Sequence, residues 1–124
     1  MPIINIQIMQ GHSAEQKTAL LKNMTQAVVD SIAAPLPSIR VVILETPREN
    51  VIVGGELGQD MALATVGLIS GRTEELKAAL VAALANAVEK SIGLSTQHVR
   101  TIILDTPTTD MGVAGGRTAK AAGR

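Results

Sequence analysis

The 124-residue sequence contains no cysteine, tryptophan, tyrosine or phenylalanine. Without cysteine there is no disulfide framework and no thiolate to serve as nucleophile or metal ligand. Without aromatic rings there is no platform on which nucleic-acid bases could stack. Charge of one sign is missing as well: 11 basic residues balance 11 acidic ones, which leaves no basic footprint for a phosphate backbone. Nucleic acid is therefore not an expected partner. Apolar runs such as Val41–Leu44 are far too short to cross a bilayer, so no membrane partner is expected. The N-terminus lacks the basic and then apolar regions of a signal peptide, and a soluble, cytoplasmic protein is the expectation. His12 and His98 lie far apart, with no His/Glu spacing that would hold a metal, so neither a metal nor a cofactor is expected. What the chain has in surplus is aliphatic: 46% of residues are hydrophobic and the mean hydropathy is +0.28. At single-domain length, that surplus means an unusually aliphatic interior or apolar surface covered by other subunits.

The chain is written twice. Sliding it against itself by 60 positions aligns it without a gap, and 17 of the 60 pairs are identical. Gly11/Gly71, Lys17/Lys77, Leu20/Leu80, Arg40/Arg100, Pro47/Pro107 and Gly55/Gly115 are among them, and Met61 falls opposite Met1. This is the signature of a duplicated and fused gene, with a first unit over 1–60 and a second over 61–124, together forming one domain.

Each unit carries the same pattern. Ile4, Ile6 and Ile8 alternate with Asn5 and Gln7, which predicts a half-buried strand over Ile3–Ile8. Gly11 breaks it, and Ser13 with Gln16 forms a capping box ahead of a helical stripe of Leu20, Met24, Ala27, Val28 and Ile32. Pro35 and Pro37 end that helix, and the β-branched run Ile39–Glu45 predicts a returning strand. In the second unit, Met61–Ile69 and Val99–Asp105 read as strands. The helix between them is capped by Thr73, lined by Leu76, Leu80, Leu84, Val88 and Ile92, and stopped by Gly93. Gly54-Gly55 and Gly112–Gly116 read as turns, and Arg117–Arg124 as a flexible tail. Strand–helix–strand order implies a right-handed crossover and a parallel pair. The expected fold is therefore α/β (α+β): tandem β-α-β units forming a four-stranded sheet with both helices on one face. The other face has no cover of its own, which favours an oligomer.

Few groups offer chemistry. Ser13 and Thr73 are accounted for as helix caps, and the glycine stretches lack the strand-to-helix setting and lysine of a phosphate loop. Pro2 is different. A small second residue permits removal of Met1, and the N-terminal proline then exposes a secondary amine on a rigid ring. Alpha-amino groups titrate near ~7.7–8.0, and desolvation or neighbouring cations lower that value. Pro2 is thus a candidate general base.

Pro2-Ile3, Gly11-His12-Ser13-Ala14-Glu15-Gln16-Lys17, Ala34-Pro35-Leu36-Pro37-Ser38-Ile39-Arg40-Val41 and Val53-Gly54-Gly55-Glu56 together resemble the 4-oxalocrotonate tautomerase family. The second unit is similar through Gly71-Arg72-Thr73-Glu74-Glu75-Leu76-Lys77, Arg100 and Gly115, so the whole chain resembles a fused, two-unit tautomerase. The resemblance implies an isomerase in which Pro2 moves a proton along a conjugated enol acid. Its partner would be a small carboxylate substrate, 2-hydroxymuconate-like or enolpyruvate-like. Arg40, Arg72 and Arg100 are the implied substrate-binding residues, since a planar guanidinium holds a carboxylate through two parallel hydrogen bonds. Arg72 and Arg100 are the first expected to meet Pro2, and Arg40 to serve from an adjacent chain or to stay at the second site. Val51 and Met111 stand where the family walls its pocket. The resemblance further implies a homotrimer, a pseudo-hexamer of units, with three active sites because Ala62 replaces the proline in the second unit. The alternatives are a dehalogenase or hydratase of the same superfamily, whose water-activating carboxylate is replaced here by Val53, and a non-enzymatic structural oligomer.

Overall fold

The computed structural model describes residues 2–124. The first unit comprises β1 (Ile3–Met9), α1 (Ala14–Ile32), β2 (Arg40–Thr46) and a hairpin of β3 (Ile52–Val53) and β4 (Glu56–Leu57). The second repeats it as β5 (Ala62–Ile69), α2 (Glu74–Ile92), β6 (Val99–Thr106) and the hairpin β7 (Gly112–Val113) with β8 (Arg117–Thr118). Local chemistry sets the boundaries. The Ser13 hydroxyl accepts from the Gln16 N–H while the Gln16 side chain accepts from the Ser13 N–H, closing the expected capping box. Thr73 caps α2 through the Leu76 N–H. Both helices end on a left-handed residue, Gly93 in α2 but Ala33 in α1, with φ of 73° and 53°. The helix therefore stops at Ile32, ahead of Pro35 and Pro37, the first of which caps and the second of which lies within a single 3-10 turn over Leu36–Ser38.

The sheet order is β2-β1-β5-β6. Each unit contributes a parallel pair, and the units join through β1 and β5 running antiparallel. Ile4, Ile6, Ile8, Ala64, Val66 and Leu68 are buried on one face of the sheet, in one cluster with Leu20, Met24 and Val28 of α1 and Leu80, Leu84 and Val88 of α2. Both helices thus cover the same face, and their mutual contact is the most extensive of any pair of elements. Burying such side chains stabilises the fold by about 1.5–3 kcal/mol each. Lys17 to Glu45 and Lys77 to Asp105, at 3.0 and 2.6 Å, tie each helix to its returning strand at equivalent positions of the two units.

The opposite face is uncovered and apolar. Val42, Leu44, Ile102 and Leu104 are 48–53% exposed, at positions that alternate with the core. Register across the strands puts Arg40, Ile3, Gly67 and Leu104 in one row, and Leu44, Gln7, Leu63 and Arg100 in another. Arg40 and Arg100 therefore occupy opposite corners of this face.

Arg117–Arg124, expected as a flexible tail, forms β8 and then folds back. Ala119 is fully buried and donates to the Met111 carbonyl at 2.8 Å, while the Arg124 N–H returns to the Ala119 carbonyl at 2.9 Å.

Candidate active site

Pro2 heads β1 and is buried. Its carbonyl accepts from the Arg40 N–H at 3.1 Å, which extends the parallel β1–β2 ladder by one bond and fixes the proline beside the start of β2. Because β5 runs antiparallel to β1, its C-terminal end arrives at the same edge, bringing Ile69, Ser70 and the α2 entrance with it. A cleft of about 580 Å³ opens there, with Arg40 of the first unit and Arg72 of the second both on its wall.

The electrostatics of this cleft are one-sided. Among the described residues lining it are three arginines, Arg40, Arg72 and Arg124, and no aspartate or glutamate. None of the three takes part in the ion pairs of the described residues. Arg40 and Arg72 are each steadied by a single long hydrogen bond to a carbonyl three residues earlier, Pro37 at 3.4 Å and Ile69 at 3.3 Å. Most of their donors are thus free for an anion. Pro35, Pro37, Ile69 and Ala114 supply an apolar floor for a carbon skeleton.

Arg100 is elsewhere. Strand geometry separates its backbone from Pro2 by roughly 19 Å along and across the sheet. It lines a smaller cavity of about 200 Å³ at the Ala62 end, with Val53, Asp60, Gln97 and His98. Within one chain, then, the cleft at the Pro2 end of the sheet is lined by Arg40 and Arg72 and not by Arg100, while Pro2 itself is buried and is not among the lining residues. Ala62, the twin of Pro2, is internal and buried, and its nitrogen is an amide without basicity. His12 stands where the second unit has Arg72, and its Nε2 is buried without a partner among the described residues.

The two residues expected to wall the pocket lie outside both cavities. Met111 is drawn under the β7–β8 hairpin and buried, and Val51 is half-buried at the foot of β3–β4. The hairpin residues on the cavities are instead Ala114 at the Pro2 end and Val53 at the Ala62 end, so the hairpins reach the cavities closer to their tips. Arg124 escaped sequence reasoning because its surroundings of alanine and glycine carry no periodic signal. The burial of Ala119 and the hydrogen bonds around it give that segment its course.

A family model for tautomerase enzymes matches the chain twice, over residues 2–61 and 63–121, one match to each unit. The chain belongs to the tautomerase family. Its enzymes are isomerases, and the double match follows the repeat seen in the fold. Half-length relatives align with a single unit. The 2-hydroxymuconate tautomerase of Stutzerimonas stutzeri is 45% identical over 56 residues, which is 45% of this chain and 89% of the relative. That of Pseudomonas putida is 44% identical over 57 residues, 46% of this chain and 90% of the relative. Full-length similarity is found among solved structures. A wild-type fused 4-OT that forms a symmetric trimer superposes with a TM-score of 0.97 at 54% identity, covering 98% of this chain and 99% of that one. A wild-type fused 4-OT that forms an asymmetric trimer gives 0.93 at 38% identity, with the same coverage. Malonate semialdehyde decarboxylase, at 21% identity and a TM-score of 0.82 over 98% of this chain and 97% of that one, shares the fold alone.

Proposed function

We propose that this tautomerase uses Pro2, freed by removal of Met1, as the general base for enol–keto proton transfer on 2-hydroxymuconate-like or enolpyruvate-like carboxylates. The observation that carries the reading is the cleft beside Pro2 that holds Arg40 and Arg72 and no acid among its described lining. Arg40 and Arg72 hold the substrate carboxylate, and their charge stabilises the dienolate oxygen as the enol proton leaves. The Pro2 nitrogen takes that proton and returns it to carbon farther along the conjugated chain, so the base ends as it began. Two neighbouring cations favour the neutral amine the first step requires. A hydratase would need a carboxylate side chain to activate water, and no aspartate or glutamate lines this cleft among the described residues. Arg100 lies too far away to join the site within one chain and would serve it only from an adjacent one.

The active form is proposed to be a homotrimer with three Pro2 sites. Support comes from the trimeric fused relatives and from the open aliphatic face of Val42, Leu44, Ile102 and Leu104. Intact-mass measurement with an absorbance assay on 2-hydroxymuconate and phenylenolpyruvate tests the chemistry. Protein with a free Pro2 should be active on at least one of them and Pro2→Ala should lose that activity, with kcat/KM declining in acid as the amine protonates. Processed protein no more active than Pro2→Ala would end the proposal.

A further inference from the structure

The formal charge of zero conceals a polarity. Residues 1–46 hold three bases and three acids, and residues 61–106 hold four of each, so the helices and long strands are balanced in both units. The imbalance lies wholly in the segments that carry the hairpins. Over residues 47–60, Arg48 stands against Glu49, Glu56 and Asp60, a side-chain charge of −2. Over residues 107–124, Arg117, Lys120 and Arg124 stand against Asp110, a side-chain charge of +2 that stays positive with an α-carboxylate at Arg124. Arg48 and Asp60 are 3.8 Å apart and offset each other. Glu49 and Glu56 on one segment, and Arg117 and Lys120 on the other, are exposed and take part in no ion pair of the described residues.

The two segments lie at opposite ends of the sheet. The β3–β4 hairpin reaches the cavity at the Ala62 end through Val53, and the β7–β8 hairpin reaches the cleft at the Pro2 end through Ala114. They also differ in apolar surface. Ile52 and Leu57 are 61% and 71% exposed, whereas their twins in the second unit are Gly112 and Arg117. One end of the molecule is therefore acidic with an apolar tip, and the other is basic. A closed ring of three chains can run in two ways. With every chain pointing the same way, each junction joins unlike ends. With one chain turned round, one junction joins two basic ends and another joins two acidic ends. Facing like charges disfavour the second course.

Building on the trimer proposed above, we infer that the acidic β3–β4 end of one chain docks against the basic β7–β8 end of the next. Charge thus sets a single head-to-tail direction around the ring, and all three Pro2 sites have the same neighbours.

Light scattering over a dilution series, at low and high salt, reads the junction. Glu49→Lys with Glu56→Lys makes both ends basic, and Arg117→Glu with Lys120→Glu makes both ends acidic. With helical circular dichroism unchanged, each pair should raise the concentration at which half the chain is trimeric by about tenfold at low salt. Added salt should shrink that loss. All four substitutions together exchange the two ends and should recover most of the wild-type assembly. Because the chain has no cysteine, cross-linking can read the direction. Gln59→Cys alone should give no covalent dimer with a short bis-maleimide, whereas Gln59→Cys with Ala121→Cys should give linked dimers and trimers. Dimers from Gln59→Cys alone, or a fourfold variant no better assembled than either pair, would overturn the inference. A wild-type trimer indifferent to every reversal would overturn the docking alone, and a wild type monomeric at every concentration would end the trimer reading with it.

Discussion

Replacing Arg72 and Arg100 one at a time separates two arginines that the repeat makes look alike. Arg72 lines the Pro2 cleft, partly buried, with one 3.3 Å bond to the Ile69 carbonyl and no acidic partner. Its remaining donors can each make charge-assisted bonds to a substrate carboxylate. Bonds to charged groups contribute about 1.5–3 kcal/mol net, which corresponds to a loss of roughly 10- to 150-fold in kcat/KM for Arg72→Ala. Arg100 lies on the far corner of the sheet, where its guanidinium donates to the Gln97 carbonyl at 2.9 Å. Arg100→Ala should cost less than about threefold, the scale of an exposed polar contact. Initial rates with 2-hydroxymuconate, followed by loss of its absorbance, give both constants. A rise in KM at constant kcat would mean that Arg72 binds ground and transition states alike, whereas a fall in kcat would assign it to the developing dienolate. The reasoning fails if Arg72→Ala stays within twofold of wild type. It fails equally if Arg100→Ala loses as much as Arg72→Ala, since an adjacent chain would then complete the site with Arg100.

Other outcomes follow from the fold. Ala33→Gly should stabilise the protein by about 0.5–1 kcal/mol, because Ala33 sits at φ 53° where the second unit already has Gly93; thermal or denaturant melts read the shift. Ser13→Ala should cost about 1 kcal/mol by opening the capping box, with the Gln16 backbone N–H left without its acceptor, and the same melts would register it. Leu84→Ala, in the buried seam between helices and sheet, should cost about 2–5 kcal/mol at any protein concentration. Leu104→Asp, on the open face, should leave the helical circular dichroism intact and lower the mass measured by light scattering from trimer towards monomer. A monomeric wild type would refute the assembly directly.

Much of this molecule is legible along the chain. Alternation in Ile3–Ile8 and the stripe from Leu20 to Ile32 fix which faces are apolar, since side chains point with period 2 in a strand and 3.6 in a helix. Ser13, Thr73 and Gly93 mark helix ends through local hydrogen bonds and backbone freedom that need no distant partner. The 60-residue repeat and the family resemblance gave the two units and Pro2. Periodicity says nothing, however, about which strand lies beside which. Only the joint burial of both helix stripes on one sheet sets β1 against β5 in antiparallel register. That pairing carries the end of β5, and Arg72 with it, to Pro2, and leaves Arg100 on the far corner although its sequence context matches that of Arg40. The same packing buries Ala119 and turns a tail without pattern into a fixed arm ending at Arg124. The sequence by itself determined the elements, their apolar faces and the candidate base. Tertiary structure decided which charges meet it, because contact between residues distant in the chain follows from packing and not from local propensity.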